Sequence, residues 1–292
     1  VSLISGFEHF VRENEPLSPL TSLRLGGPAE YFAEPTTVEE LAAIVKRFSE
    51  AGVSVRMIGA GSNVLVPDSG VSGLVIHLSA PAFCQIEIDG NRMRVGGGAR
   101  LSHLVSNAIR EGLNGPQHLV GMPGTIGGAL HSNISFPNVD IGTWVRSVDV
   151  MKRSGEQLTY SGEDVTFSSR ESSLSELVIL AVEAEFEKED PAALTKQLQT
   201  LWLVKKAKRP PADFNAAYLF KNPFGESAAD LIDSAGMKGT SVGGVSLFDA
   251  NPNYLVTESG ATVADVIKLI ETVRKGVHEK LDVQLETAIQ IW

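Results

Sequence analysis

The segment Gly121-Met122-Pro123-Gly124-Thr125-Ile126-Gly127-Gly128-Ala129 constrains this chain more than any other stretch. It packs four glycines and a proline into nine residues. Backbone so poorly covered by side chains can pass close to a neighbour, and its successive N–H groups can form an anion-binding nest without any cation. A tight helix entry, with glycines at packing contacts, would use the same residues. A second turn, Gly59-Ala60-Gly61-Ser62-Asn63, follows the run Val53–Ile58, a predicted strand. It is not the dinucleotide fingerprint, because the third glycine of that motif would stand where Val64 does. No phosphate-binding GxxxxGK[ST] occurs either. Taken alone, the 59–63 turn reads as an ordinary strand end. Two glycine turns, each after a strand, point instead to one shared diphosphate ligand.

The surrounding pattern is mixed α and β. Residues 36–52 predict a helix: Thr36 or Thr37 caps it, Glu39 and Glu40 sit in the first turn, and Leu41, Ile44, Val45 and Phe48 share one face. Strands are predicted at Arg92–Val95, Val145–Lys152 and Gln157–Tyr160, the last two joined by a turn at Ser154-Gly155, and a helix over Leu101–Gly112. Val178–Phe186 alternates apolar residues with Glu183 and Glu185 and predicts a half-exposed strand. A helix over Ala192–Lys208, stopped by Arg209-Pro210-Pro211, reads as a connection between domains. A last helix, Val263–Val277 capped by Thr262, precedes a last strand over Val283–Ile291.

Composition narrows the class. A chain of 292 residues is long for one core. The net charge of −10 argues against nucleic-acid coating, though a local basic pocket remains possible. Cys84 is the single cysteine, and the six histidines include no pair at zinc-ligand spacing, so no metal site is expected. Neither a signal peptide nor an apolar run long enough to span a bilayer is visible, which suits a cytoplasmic protein. Nothing points to a membrane or to an obligate protein partner.

Several segments together resemble the UDP-N-acetylenolpyruvoylglucosamine reductase family. They are Thr21-Ser22-Leu23-Arg24-Leu25-Gly26-Gly27-Pro28-Ala29, the 59–63 turn with Val64-Leu65-Val66, and the 121–129 turn followed by Asn133. Phe220-Lys221-Asn222-Pro223, Ala235-Gly236-Met237-Lys238-Gly239 with Val242-Gly243-Gly244, and Ser259-Gly260-Ala261-Thr262 follow in the family's order. The resemblance implies an α+β fold of the p-cresol methylhydroxylase and vanillyl-alcohol oxidase type. It implies two FAD-binding subdomains, 1–77 and 78–186, and a C-terminal α+β substrate domain, 187–292. The length fits the short form of the family, without its extra tyrosine-bearing loop. The implied activity is reduction of the enolpyruvyl ether of UDP-N-acetylglucosamine to UDP-N-acetylmuramate for cell-wall synthesis. NADPH is the implied hydride donor, FAD the carrier, and a UDP-sugar the small-molecule substrate.

Residue by residue, the resemblance assigns FAD to Gly59, Ala60, Gly61, Ser62, Asn63, Val64, Gly121, Met122, Pro123, Gly124, Thr125, Gly127, Gly128, Ala129, Asn133 and Ile179. It assigns substrate to Arg170, Lys221 and Asn222. Hydride addition beside a carboxylate leaves enolate-like charge, which calls for a cation and a proton donor. Arg170 matches the family's arginine, although Ser169 replaces the usual tyrosine before it. The proton-donor serine is replaced by Tyr218, whose phenol can also donate. The family's C-terminal glutamate falls at Ala288, so Glu286 could serve only if the strand shifted register. Ile134–Asp140 also departs from an expected glycine-rich segment. Three readings follow: an active reductase with a substituted acid, a binding homologue that has lost turnover, or a flavin oxidase for another substrate.

Overall fold

The computed structural model describes residues 2–136, 139–168, 171–175, 177–211, 213–223 and 226–292; for 135, 136 and 139 the backbone alone is described. Arg170 therefore lies outside the described residues. The architecture is α+β, and the chain divides into two compact units, each drawn from separate stretches of sequence.

The first unit comprises Val1–Glu15, Glu30–Ala60 and Ser72–Trp202. Its helix α1, Val38–Glu50, begins where Thr37 accepts the Glu40 N–H, settling which threonine caps it. The four residues expected on its inner face, Leu41, Ile44, Val45 and Phe48, are fully buried. They pack into a core beneath a four-stranded sheet ordered Val11–Pro16, Pro28–Ala33, Val71–His77, Val55–Ile58, whose last two strands are parallel. A five-stranded antiparallel sheet follows, ordered Gln157–Ser161, Val145–Met151, Val178–Glu185, Arg92–Gly96, Ile86–Asp89. Helices α2, Leu101–Arg110, and α3, Ile126–His131, pack into the core on this sheet.

Val178–Glu185 corrects one expectation. It is the middle strand of five, and Val178 to Val182 are all buried. Val178 and Leu180 join the first core, while Ile179, Val182 and Ala184 join the second. The polar alternation is confined to its C-terminal end, at Glu183 and Glu185; the first five residues are uninterrupted apolar, as a strand covered on both faces requires.

Helix α4, Pro191–Ala207, has Leu194 as its one buried residue. The second unit comprises Pro16–Ala29, Gly61–Val71 and Leu203–Trp292. Its antiparallel sheet is ordered Asn215–Tyr218, Tyr254–Thr257, Val245–Leu247, Ser241–Val242. Helices α5, Ala228–Ser234, and α6, Val263–Leu281, share its core. α6 opens with a reciprocal cap between Thr262 and Asp265 and runs four residues beyond the predicted end, to a left-handed Asp282. The expected strand over Val283–Ile291 is broken: Phe220 bridges Thr287, and only Gln290–Ile291 forms a strand, parallel to Val64–Leu65.

Candidate active site

In the first unit the two glycine turns come together. The chain leaves the carboxyl end of Val55–Ile58 beside His77 and turns at Gly59, which lies directly against Thr125. A Cβ at Gly59 would stand 2.5 Å from Thr125 Oγ1, so no side chain fits there without moving the second turn. Thr125 itself caps α3, its hydroxyl accepting the Gly128 N–H. A third glycine stretch joins them: Gly97 accepts the Gly127 N–H at 2.7 Å, and Ala99 accepts the Ile126 N–H at 2.9 Å. A Cβ on Gly97 would meet the Ile179 carbonyl at 2.1 Å, so Ile179 supports this junction through its backbone.

These contacts alter the expected role of the 121–129 turn. The N–H groups of Ile126, Gly127 and Gly128 are satisfied inside the protein, so they are not a ready nest for a ligand. Glycine at 127 is explained by the approach to Gly97, where a Cβ would stand 3.0 Å from the carbonyl. Gly128 is different. A Cβ there would meet only Thr125 Oγ1, at an ordinary 3.5 Å, and nothing inside the described protein requires glycine. Bare backbone with no internal reason to be bare suits a closely approaching ligand. An uncharged surface built from Gly59, Thr125 and Gly128 fits the flavin nucleotide that the sequence suggested.

The rest of the 59–64 turn belongs to the second unit. Gly61 is left-handed at φ 60°, and a Cβ would lie 1.9 Å from the Leu20 carbonyl. Its own carbonyl accepts the Ser22 N–H, and that of Asn63 accepts the Gln290 N–H. Asn133, by contrast, is buried in the first unit with its amide engaged by protein: Nδ2 donates to the Ser168 carbonyl at 2.8 Å, and Oδ1 accepts the Gly142 N–H at 3.3 Å.

Four of the remaining expected residues meet in the second unit. The Tyr218 hydroxyl donates to Asn222 Oδ1 at 3.3 Å, and its ring packs edge-on against Tyr254 at 5.2 Å. Asn222 Oδ1 also accepts the Ala228 N–H at the start of α5. Lys221 Nζ pairs with Glu286 Oε2 at 3.2 Å, and the Lys221 N–H bonds the Glu286 carbonyl. Ala288 donates its N–H to the Leu219 carbonyl, while Glu286 sits opposite Lys221. Glu286 is thus a partner for Lys221, and its side chain is 76% exposed. Lys221 and Glu286 line an open groove of about 810 Å³ along the outer face of α6, with Arg274, Lys275 and His278.

One group escaped the sequence reading. Burial, with the charge of Arg209 adding to it, pushes the Lys205 ammonium down to about 8. A cation partly withdrawn from water beside another cation is suited to an anion. The sequence signal is Lys205-Lys206-Ala207-Lys208-Arg209, four cations in five residues of a chain with net charge −10, at the end of a predicted helix.

Comparison with known proteins agrees with this geometry. Residues 29–161 match the family described as FAD binding domain, and residues 209–292 match UDP-N-acetylenolpyruvoylglucosamine reductase, C-terminal domain. The chain is 40% identical over 284 residues to the UDP-N-acetylenolpyruvoylglucosamine reductase of Rhodopirellula baltica, covering 97% of this chain and 93% of that one. It is 36% identical to the reductase of Heliobacterium modesticaldum, covering 96% and 90%. The crystal structure of the enzyme so named from Thermus caldophilus superimposes with a TM-score of 0.82 at 30% identity, over 97% of this chain and all of the other.

Proposed function

The chain belongs to the UDP-N-acetylenolpyruvoylglucosamine reductase family, and from that premise we propose how its own residues perform the family's reaction. The reaction adds hydride from NADPH and a proton across the enolpyruvyl double bond of the UDP-sugar, giving the lactyl ether and NADP⁺. Its product is a precursor of peptidoglycan, and cytoplasmic action is part of this proposal. No helix among the described residues is long and apolar enough to cross a membrane. Bound FAD supplies the hydride relay between NADPH and the sugar nucleotide.

The residues divide the labour. Gly59, Thr125 and Gly128 present the bare backbone against which the flavin nucleotide rests, the apposition of Gly59 and Thr125 being the observation that carries the reading. Subdomains 1–77 and 78–186 hold that cofactor, and 187–292 binds the sugar nucleotide. Lys205 with Arg209, and Lys221, which Glu286 partners, supply cations for the diphosphate. Arg170 stabilises charge developing beside the substrate carboxylate. Tyr218 gives the proton. Its O–H is turned to Asn222, which keeps the phenol oriented until substrate displaces that bond.

The test separates the two halves of turnover. Flavin reduction by NADPH needs no proton donor on the sugar and should be unaffected by Tyr218→Phe. Reoxidation by the enolpyruvyl substrate should slow by about 10²- to 10⁴-fold. Equal reoxidation in both proteins would remove Tyr218 from the chemistry. Ala288 favours a second reading, a homologue that binds flavin and sugar nucleotide without turnover. In that case the native protein reduces its flavin and never passes the hydride on.

A further inference from the structure

We propose that Asn133 and Ser172 are positioning residues, fixing the hairpin that bears Arg170 to the end of the helix that follows the glycine turn. The proposal rests on the reading of Arg170 as the charge-stabilising residue. Strands Phe167–Ser168 and Glu171–Ser172 pair in the register Phe167↔Ser172 and Ser168↔Glu171, and the chain joining them is Ser169-Arg170. Each strand is tied to α3. On one side Asn133 Nδ2 donates to the Ser168 carbonyl at 2.8 Å. On the other the Ser172 hydroxyl donates to the His131 carbonyl at 3.1 Å. Both tying residues are buried, at 1% and 9% exposure, where an amide or hydroxyl is costly unless its bonds are made.

The clamp has a rigid base. Ile126, Ala129 and Leu130 sink α3 into the core, and Asn133 follows it in a left-handed conformation at φ 37°. Glycine would satisfy that backbone equally well, so the conformation alone does not call for asparagine. What glycine lacks is the amide, which bridges two segments by accepting the Gly142 N–H while donating to Ser168. Gly142 in turn lies against the Phe167 ring, where a Cβ would come within 2.5 Å. The hairpin is closed beyond the strands by the Ser173 N–H on the Thr166 carbonyl, 2.9 Å. In sequence Arg170 stands two residues after the carbonyl that Asn133 holds and two before the hydroxyl that bonds His131. The helix that Thr125 caps beside Gly59, with the residue two places after it, thus ties both strands that flank Ser169-Arg170.

The holoprotein with Asn133→Gly, Asn133→Asp or Ser172→Ala provides the test, because glycine and aspartate both tolerate the left-handed backbone. Flavin occupancy and flavin reduction by NADPH should stay at the native level. Reoxidation by the enolpyruvyl sugar nucleotide should slow by about 10- to 100-fold, the penalty for a misplaced catalytic group. Amide exchange over residues 166–173 should accelerate in all three variants. Asn133→Asp adds a signature: burial raises its carboxyl pKa, and only the protonated form can donate to Ser168. Its reoxidation rate, relative to the native protein, should recover as pH falls, whereas Asn133→Gly should not. Loss of flavin from the Asn133 variants would make that residue a cofactor ligand and overturn the proposal. Faster exchange with native reoxidation would make the clamp structural only and also overturn it. Arg170→Ala, measured alongside, separates the premises. If it reoxidises normally, the reading of Arg170 fails and takes the clamp with it; if it is slow while Asn133→Gly is normal, the clamp alone fails.

Discussion

The glycine turns of the first unit and the polar cluster of the second are built in opposite ways. Around Gly59, Gly97 and Thr125 the backbone makes the site, and the close approaches leave no room for a side chain. Around Tyr218, Lys221 and Glu286 side chains make it, on a part-exposed surface where each already has a protein partner. A backbone site tolerates almost no substitution, because a single Cβ collides with a close neighbour, the Ile179 carbonyl at Gly97 and the Thr125 hydroxyl at Gly59. A side-chain site can exchange serine for tyrosine, or glutamate for alanine, and keep its fold.

The largest effect expected from this contrast is at Gly59. Gly59→Val drives a branched side chain into Thr125 and should separate the two turns, lowering flavin occupancy by more than about 10-fold; the collision costs roughly 1–3 kcal/mol, equivalent to that loss. Absorbance of the purified protein measures it. A double-mutant cycle sharpens the assignment: Gly59→Ala and Thr125→Ala should each destabilise the unit, and the pair together by less than their sum, because the second change removes the atom that the first one strikes. Strict additivity would mean that the two turns do not press on each other.

The second contrast is between two cations of the second unit, Lys205 and Lys221. Lys205→Ala should weaken sugar-nucleotide binding by about 10-fold, the worth of one charge-assisted bond. Lys221→Ala should weaken it about 3-fold, since that ammonium is already shared with Glu286. Both losses should shrink as salt screens the charges. A titration series across ionic strength reads both. Should Lys221→Ala prove the more damaging variant, the diphosphate lies along the α6 groove, and Lys205 owes its low pKa to packing alone.

Legibility in the sequence follows the same division. The inner face of α1 was readable to the residue, because helical spacing reports burial directly and Leu41, Ile44, Val45 and Phe48 have no competing use. The two glycine turns were readable as partners, but the purpose of each glycine was not. Gly127 looked like an open donor, and only the fold brings the Gly97 carbonyl to its N–H. Val178–Glu185 was misjudged because periodicity on one strand cannot reveal that sheets and helices cover both faces. The last strand failed for a related reason: Val283–Ile291 has strand-like residues, yet Phe220 and Val64–Leu65 each claim a different part of it. The bond from Asn133 to Ser168 was not readable, because it spans 35 residues that no local pattern connects.

The smallest expected effect concerns pH, where the two units also differ. Among the described residues with resolved shifts, the lowered carboxylates Glu34, Glu40 and Glu185 lie in the first unit, and the lowered ammonium of Lys205 lies in the second. At Glu34, burial alone would raise the carboxyl, but Arg12, His77 and Ser79 outweigh it. Glu40 is held at about 2, first by its hydrogen bond with His9 and then by the Thr36 N–H and hydroxyl and the Thr37 N–H. A carboxylate with a folded pKa below its unfolded value stabilises the fold above the unfolded pKa, and that contribution disappears as pH falls through the folded one. For Glu40 the window runs from about 4.5 down to about 2. Lys205 has the opposite sign. Between about 8 and 10.5 the unfolded chain holds the proton that the folded one has lost, so stability gained from this group rises with pH. Amide exchange resolved by peptide should therefore show the first unit loosening in acid before the second. Glu40→Gln should flatten that acid slope by less than about 1 kcal/mol, because its ion pair with His9 is solvent-screened. If the slope of the first unit is unchanged in Glu40→Gln, the His9 contact contributes nothing in solution, and the acid sensitivity belongs to Glu34 and its three partners.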